Sequence, residues 1–383
     1  MEDYLEALSG CVKKIRSIRE IILTNIVLLG QIPAPTFFEE NRALTFLERL
    51  GEFQADECSF DQYGNAIGII RGTTDAKPPI FLVAHLDTLF CKDIVYNFIV
   101  NEDHIQGPGL CDNSLGVGVI ASLPEIFQAL NLRFESDIVL AGVIQTLGKG
   151  NLQGPRHLLE TWPTPIRGAV CLESHDLGRL NFFSDGMLRC DILCTPIKIT
   201  PSQYTHNAIQ VMNEVINRIL EMRLPIRPKS KIVLGKISGG ADYGENAPEA
   251  RLGFEIRSDS DRMVKSIYND IKGIVNHISH EYAVALDLSI VSNLDACRLK
   301  YNHPLVKSTA AVMKKLNVNP FSQPSESACS IFLSRDIPSI TIGLTRGEDY
   351  YSANCKMKIE PLFTGIAQLV GVVMAIDKGV CDE

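Results

Sequence analysis

An apolar run, Pro79-Ile-Phe-Leu-Val-Ala84, ends in His85-Leu-Asp87, and a Gly107-Pro-Gly109 turn further along delivers Asp112 and Asn113. A run of that kind reads as a buried strand. Side chains alternate along a strand, so His85 and Asp87 would share a face at its carboxyl end. Crevices at such strand ends are where open α/β sheets bind ligands. Imidazole and carboxylate are zinc-ligand types, and a ligating histidine usually passes its second N–H to an acceptor such as a carboxylate. His85 would ligate and Asp87 would orient it. The competing reading is a core histidine bonded to Asp87, with Asp112 capping the helix that starts near Ser114. The glycine-rich turn before Asp112 and the apolar stretch Leu115-Gly-Val-Gly-Val-Ile-Ala-Ser122 after it favour the metal reading, because they put an acid at a junction beside the same strand ends.

Over nearly the whole chain these motifs resemble the co-catalytic dizinc metallopeptidases that include carboxypeptidase G, peptidase T, succinyl-diaminopimelate desuccinylase, acetylornithine deacetylase and aminoacylase. The segment Gly168-Ala-Val-Cys-Leu-Glu173-Ser-His-Asp-Leu-Gly-Arg-Leu180 is similar to that family's strand, acidic ligand and turn. The resemblance implies an α/β fold: a mixed-sheet zinc-exopeptidase-like (phosphorylase/hydrolase-like) domain carrying an inserted ferredoxin-like α+β lid and dimerisation domain. It also implies metal ligation by His85, Asp112 and Glu173, with Asp87 as the catalytic residue that orients His85. Asn246 in Gly244-Glu-Asn-Ala-Pro248 and Arg257 in Phe254-Glu-Ile-Arg-Ser258 match substrate-binding positions of the inserted domain. A turn-forming asparagine and a strand-end ion pair are the alternatives for these two.

The rest of the centre departs from the family. In Val143-Ile-Gln-Thr-Leu-Gly-Lys-Gly-Asn-Leu-Gln-Gly154, Thr146 and Leu147 stand where the resemblance calls for a Glu-Glu pair of general base and second-metal ligand. Leucine has no donor atom, and a threonine hydroxyl is far too weak a base to deprotonate water at neutral pH. Tyr351 stands at the C-terminal histidine and Cys355 at a nearby glutamate, and the last histidine of the chain is His303. Thr195-Pro-Ile-Lys-Ile-Thr200 replaces a Gly-Pro-Gly-Gly-His turn, leaving His206 as an expected surface residue nearby. Glu326-Ser-Ala-Cys-Ser330 replaces Ser-Thr-Asp-Ala-Asn. One zinc ion is therefore expected at the first site, with cobalt or manganese as substitutes. Lacking a positioned general base typically costs on the order of a hundred- to ten-thousand-fold in rate. Lys149 could offset the charge of Asp112, and Cys111 or Cys171 could ligate as thiolates. An exposed turn lysine and buried thiols are the commoner explanations. Asp176, Glu348 and Asp349 read as solvated loop charges.

These residues need a scaffold to bring them together. At 383 residues the chain exceeds what one core sustains, and 45% hydrophobic composition allows two packed domains. Strands are expected near 65–71, 79–84, 138–145 and 167–173, and helices at 1–30, 39–52, 115–130 and 153–160. From 185 to 295 the pattern becomes β-α-β-β-α-β, the order of a ferredoxin-like insert. After it come a helix at 303–316, strands near 329–332 and 338–343, and a helix at 360–377. The first domain thus spans 1–184 and 296–383.

A net charge of −8 disfavours nucleic acid or an anionic membrane as partner. Eleven cysteines, an odd number without regular spacing, argue for reduced thiols. Together with an N-terminus lacking a signal-peptide core, this suggests a cytoplasmic protein. The expected ligand is a small peptide-like or N-acyl amino acid, and the expected assembly is a homodimer through the inserted domain. Two functions fit: a weak, single-metal hydrolase of peptide or N-acyl amino-acid bonds, or a catalytically inactive relative acting as a ligand-binding or partner subunit.

Overall fold

The computed structural model describes all residues except 1–4, Ala7, Ser9, Asp75, Lys92, Pro201, Ser202, Tyr351 and Glu383. The chain forms two compact units, Met1–Phe183 with Arg298–Glu383, and Ser184–Cys297.

The first unit is built on a seven-stranded mixed sheet. Its order is Glu57–Phe60, Ala66–Ile70, Ile138–Val143, Ile80–His85, Gly168–Glu173, Ser339–Gly343, Leu180–Asn181. The four central strands are mutually parallel. Each is close to continuously apolar, and burial follows at every position from Ile80 to His85 and from Ile138 to Val143. That pattern belongs to strands covered on both faces. The helix Ile359–Asp377 has the length and hydropathy of a membrane span, yet 78% of it is buried within the protein, where it packs as a core helix.

Two details position the site. The helix Leu115–Ala121 crosses Arg19–Gly30 at Gly118, where any Cβ would run into the backbone of Ile26. The helix expected over 115–130 breaks at Ser122, whose hydroxyl donates to Gly118 O (2.8 Å) and accepts from Asn25 Nδ2 (2.8 Å).

Two sequence expectations fail here. Residues 329–332 are not a strand: Cys329–Leu333 is a short helix. A short buried apolar run has no periodicity to separate the two states. The cysteines are not all reduced, because Cys111 and Cys355 form a disulfide with Cα atoms 6.3 Å apart. Odd counts and irregular spacing carry no information about a pair joined across 244 positions.

The second unit is a four-stranded antiparallel sheet ordered Ser230–Gly239, Ala250–Ser258, Gly186–Thr195, Ala285–Leu294. With the helices Ala208–Leu220 and Asp261–Glu281, its elements run β-α-β-β-α-β in the ferredoxin-like order. Ala250–Ser258 buries alternate residues, so one face of the sheet receives Val211, Val215, Ile267, Ile271 and Val275 from the helices.

Candidate functional site

His85 and Glu173 end neighbouring parallel strands whose register sets Val83 opposite Cys171, so both side chains emerge at the same sheet edge. Asp112 reaches that edge from the kinked turn Leu110–Ser114, where its backbone is non-helical. Asn113 latches the turn in place: its Nδ2 donates to Leu172 O (2.8 Å), and its Oδ1 accepts from Ser174 Oγ (2.7 Å). The bonds fall on either side of Glu173. Gly116, in the helix that follows the turn, has no room for a Cβ against the Asn113 amide.

One ligand atom each from His85, Asp112 and Glu173 lies within 4.8 Å of the others. His85 Nε2 sits 2.9 Å from Asp112 Oδ1, while Nδ1 is 3.0 Å from the backbone oxygen of Asp87. A proton on Nδ1 donated to that oxygen leaves Nε2 for a metal. Burial works against the charged imidazole, yet the hydrogen bond and charge of Asp112, joined by Asp87, lift His85 well above the ordinary histidine range. Burial, with the nearby charge of Asp112, raises the Glu173 carboxyl, although His85 opposes it. Two half-buried carboxylates beside an imidazole form a donor set suited to a divalent cation.

Asp87 is fully buried and serves the scaffold. It accepts from Thr36 Oγ1 (2.9 Å), Thr146 N (2.9 Å) and Leu147 N (2.8 Å), and from the Thr146 hydroxyl. Burial pushes its carboxyl up, but bonds from His85, Thr146 and Leu147 outweigh this and hold it below the usual range. Thr146 thus bonds to Asp87. Both it and Leu147 line a cavity of about 290 Å³ that also contains His85, Asp112 and Glu173.

Other sequence candidates fall elsewhere. Tyr351 lies outside the described residues. Lys149 is exposed and lines a separate groove near Pro35 and Leu89. Cys111 is committed to its disulfide. Cys171 lines the cavity, and burial, reinforced by Cys329, keeps it a thiol. Glu348 and Asp349 are exposed. Asp176 is not a solvated charge: it pairs with Arg179 Nη2 at 2.7 Å and accepts from Tyr350 OH at 3.3 Å. In the second unit Asn246 is exposed, whereas Arg257 pairs with Glu255. His206, expected on the surface, is half-buried against Tyr282 with Nδ1 enclosed.

Sequence reasoning passed over Thr36, Asn113 as a latch, and Arg42. The last is fully buried, donates to Gly30 O, Ile32 O and Leu86 O, and is lowered by burial to about 10. The sequence Ile32-Pro-Ala-Pro35, a helix breaker between 1–30 and 39–52, is the one signal there of a loop for Arg42 to anchor.

No protein-family model and no curated protein matches the sequence. Solved structures do match the fold. A tripeptidase from Staphylococcus aureus aligns with TM-score 0.74 and 18% identity over 94% of this chain and 99% of its own. The dipeptidase Dug1p from Saccharomyces cerevisiae gives 0.77 and 11% over 97% and 99%. The Bacillus subtilis YXEP protein, a dinuclear metal-binding peptidase of the M20 family, gives 0.66 and 13% over 94% and 98%. The chain therefore has the α/β fold of M20 metallopeptidases along almost its entire length, as the motif resemblance implies.

Proposed function

We propose that this chain holds one divalent metal ion, zinc in the first place and cobalt or manganese as substitutes, at His85, Asp112 and Glu173. Beside it the cavity takes a peptide-like or N-acyl amino-acid ligand. Such a metal, when bound, supplies Lewis acidity toward a carbonyl or a water. The observation that carries the reading is the convergence of one imidazole and two half-buried carboxylates at one end of the sheet. The chain's own contribution beyond ligation is orientation: Asp87 fixes His85, and Asn113 fixes Asp112.

Hydrolysis of the amide bond is at most weak. Where the resembling enzymes place a glutamate base, Thr146 donates its hydroxyl hydrogen bond to Asp87, and Leu147 offers no ligand atom. The second reading, a catalytically inactive ligand-binding or partner subunit, draws on the same observation. Asn246 and Arg257 remain proposed substrate contacts on motif alone, and the Ser184–Cys297 unit is the proposed lid and homodimer interface of a cytoplasmic protein.

Metal analysis of protein purified without chelator, beside His85→Ala, tests the central point. Close to one metal per chain, lost in the variant, is expected. None after added zinc would leave only the non-metal binding role.

A further inference from the structure

The short strand Leu180–Asn181 of the first unit borders two separate spaces. Side chains alternate along a strand, and their destinations alternate here: Asn181 lines the cavity of His85, Asp112 and Glu173, whereas Leu180 and Phe182 line a groove of about 430 Å³. The segment bonded to this strand through Leu180 N and Phe321 O (2.9 Å) divides in the same way, with Phe321 and Ser322 on the groove and Gln323 on the cavity. Among the described residues the two spaces share no lining side chain.

The helix Pro304–Lys315 forms the facing wall. Its residues Leu305, Val312 and Met313 are buried in the core, while Ala310 and Ala311 are half-buried on the groove and leave it open. The other walls are aromatic. Phe182 meets Tyr301 at 6.1 Å, and Tyr301 and Phe321 are 81% and 42% exposed. Apolar walls with a few polar groups, at volumes of about 300–1,000 Å³, are the make-up of small-molecule sites. The polar groups here have one sign. Lys307 and Lys314 line the groove and no carboxylate does, and neither lysine has an ion-pair partner among the described residues. Seven residues apart, they stand on one helix face about 10 Å from each other along the axis. Lys314, in the last turn, complements the helix dipole. Lys307, in the first turn, does not, because that end favours an anion.

We propose that this groove binds a second ligand, a free amphipathic carboxylate. Its acyl or aryl body would lie on Phe182, Phe321 and the two alanines, and its carboxylate would meet Lys307 and Lys314. Burial of the body against the aromatic walls supplies most of the affinity, at roughly 25 cal/mol per Å² of apolar surface. The lysines supply the choice of an anion over a neutral or cationic analogue. The site is independent of the metal centre and of the ligand proposed beside it.

The test is calorimetric titration of the full chain with octanoate, octanamide and octylamine, with and without added zinc. Octanoate should bind about threefold or more tighter than octanamide, the worth of exposed ion pairs, and octylamine most weakly. Zinc should leave the octanoate affinity unchanged. Ala310→Phe, which fills the groove, should abolish binding of all three compounds. The double variant Lys307→Met, Lys314→Met alters only exposed side chains, should erase the preference for the acid, and carries the test if Ala310→Phe does not fold. No octanoate binding, equal affinity for acid and amide, or an acid preference that survives loss of both lysines would overturn the proposal. So would octanoate binding that persists in a folded Ala310→Phe protein or appears only with zinc, since either places the compound elsewhere.

Discussion

At the scale of the residue, Asp87 joins a loop and a turn through one carboxylate, accepting from Thr36, Thr146 and Leu147. Asp87→Ala leaves two backbone amides without an acceptor, at about 1–3 kcal/mol each. Urea denaturation should show a loss of about 2–6 kcal/mol on that basis. A loss below about 1 kcal/mol would mean that the turn at 146–147 is held by something else. Glu255 offers a pH test in the second unit. Burial alone would raise its carboxyl, but hydrogen bonds from Arg257 and then Arg189 outweigh this and depress it below 4.5. A depressed carboxyl contributes stability that is present above its unfolded value and is lost as pH falls through the folded one. Glu255→Gln should therefore flatten the acid limb of the unfolding profile below pH 4.5, while an unchanged limb would remove Glu255 from the account.

At the scale of the element, the parallel strands were legible because burial on both faces leaves continuous apolar runs. Ile80–His85 and Gly168–Glu173 fall within a residue of their expected bounds, and with them His85 and Glu173 reach one edge. The strand Glu57–Phe60 was missed because all four of its residues are exposed, so its sequence bears no burial pattern. Asp112 was legible as an acid at a turn, but the Asn113 latch was not, since its partners Leu172 and Ser174 are brought near only by the fold. The same limit hid the Cys111–Cys355 bridge, which ties the turn bearing Asp112 to the segment just before the strand Lys356–Lys358. Cys355→Ser should lower stability by about 2–5 kcal/mol. Equal denaturation midpoints for wild type and variant, both without reductant, would show the bridge to be dispensable.

At the scale of the whole molecule, the fold aligns with solved M20-type peptidases along almost the entire chain, at identities of 18% or less. The expected replacements rest on side-chain chemistry alone: a leucine cannot ligate wherever the fold puts it. The place of Arg179 was not legible, because an arginine in a turn becomes a cavity residue only once the strand ends, the loop at Gln323–Ala328 and Tyr350 are assembled around it.

The most direct test of the one-metal account is a zinc titration of the wild-type chain beside the triple variant Thr146→Glu, Leu147→Glu, Tyr351→His. The account predicts one zinc for the wild type and two for the variant, since the changes return the missing donors to the second site. Two zinc ions in the wild type, or no gain in the variant, would contradict it.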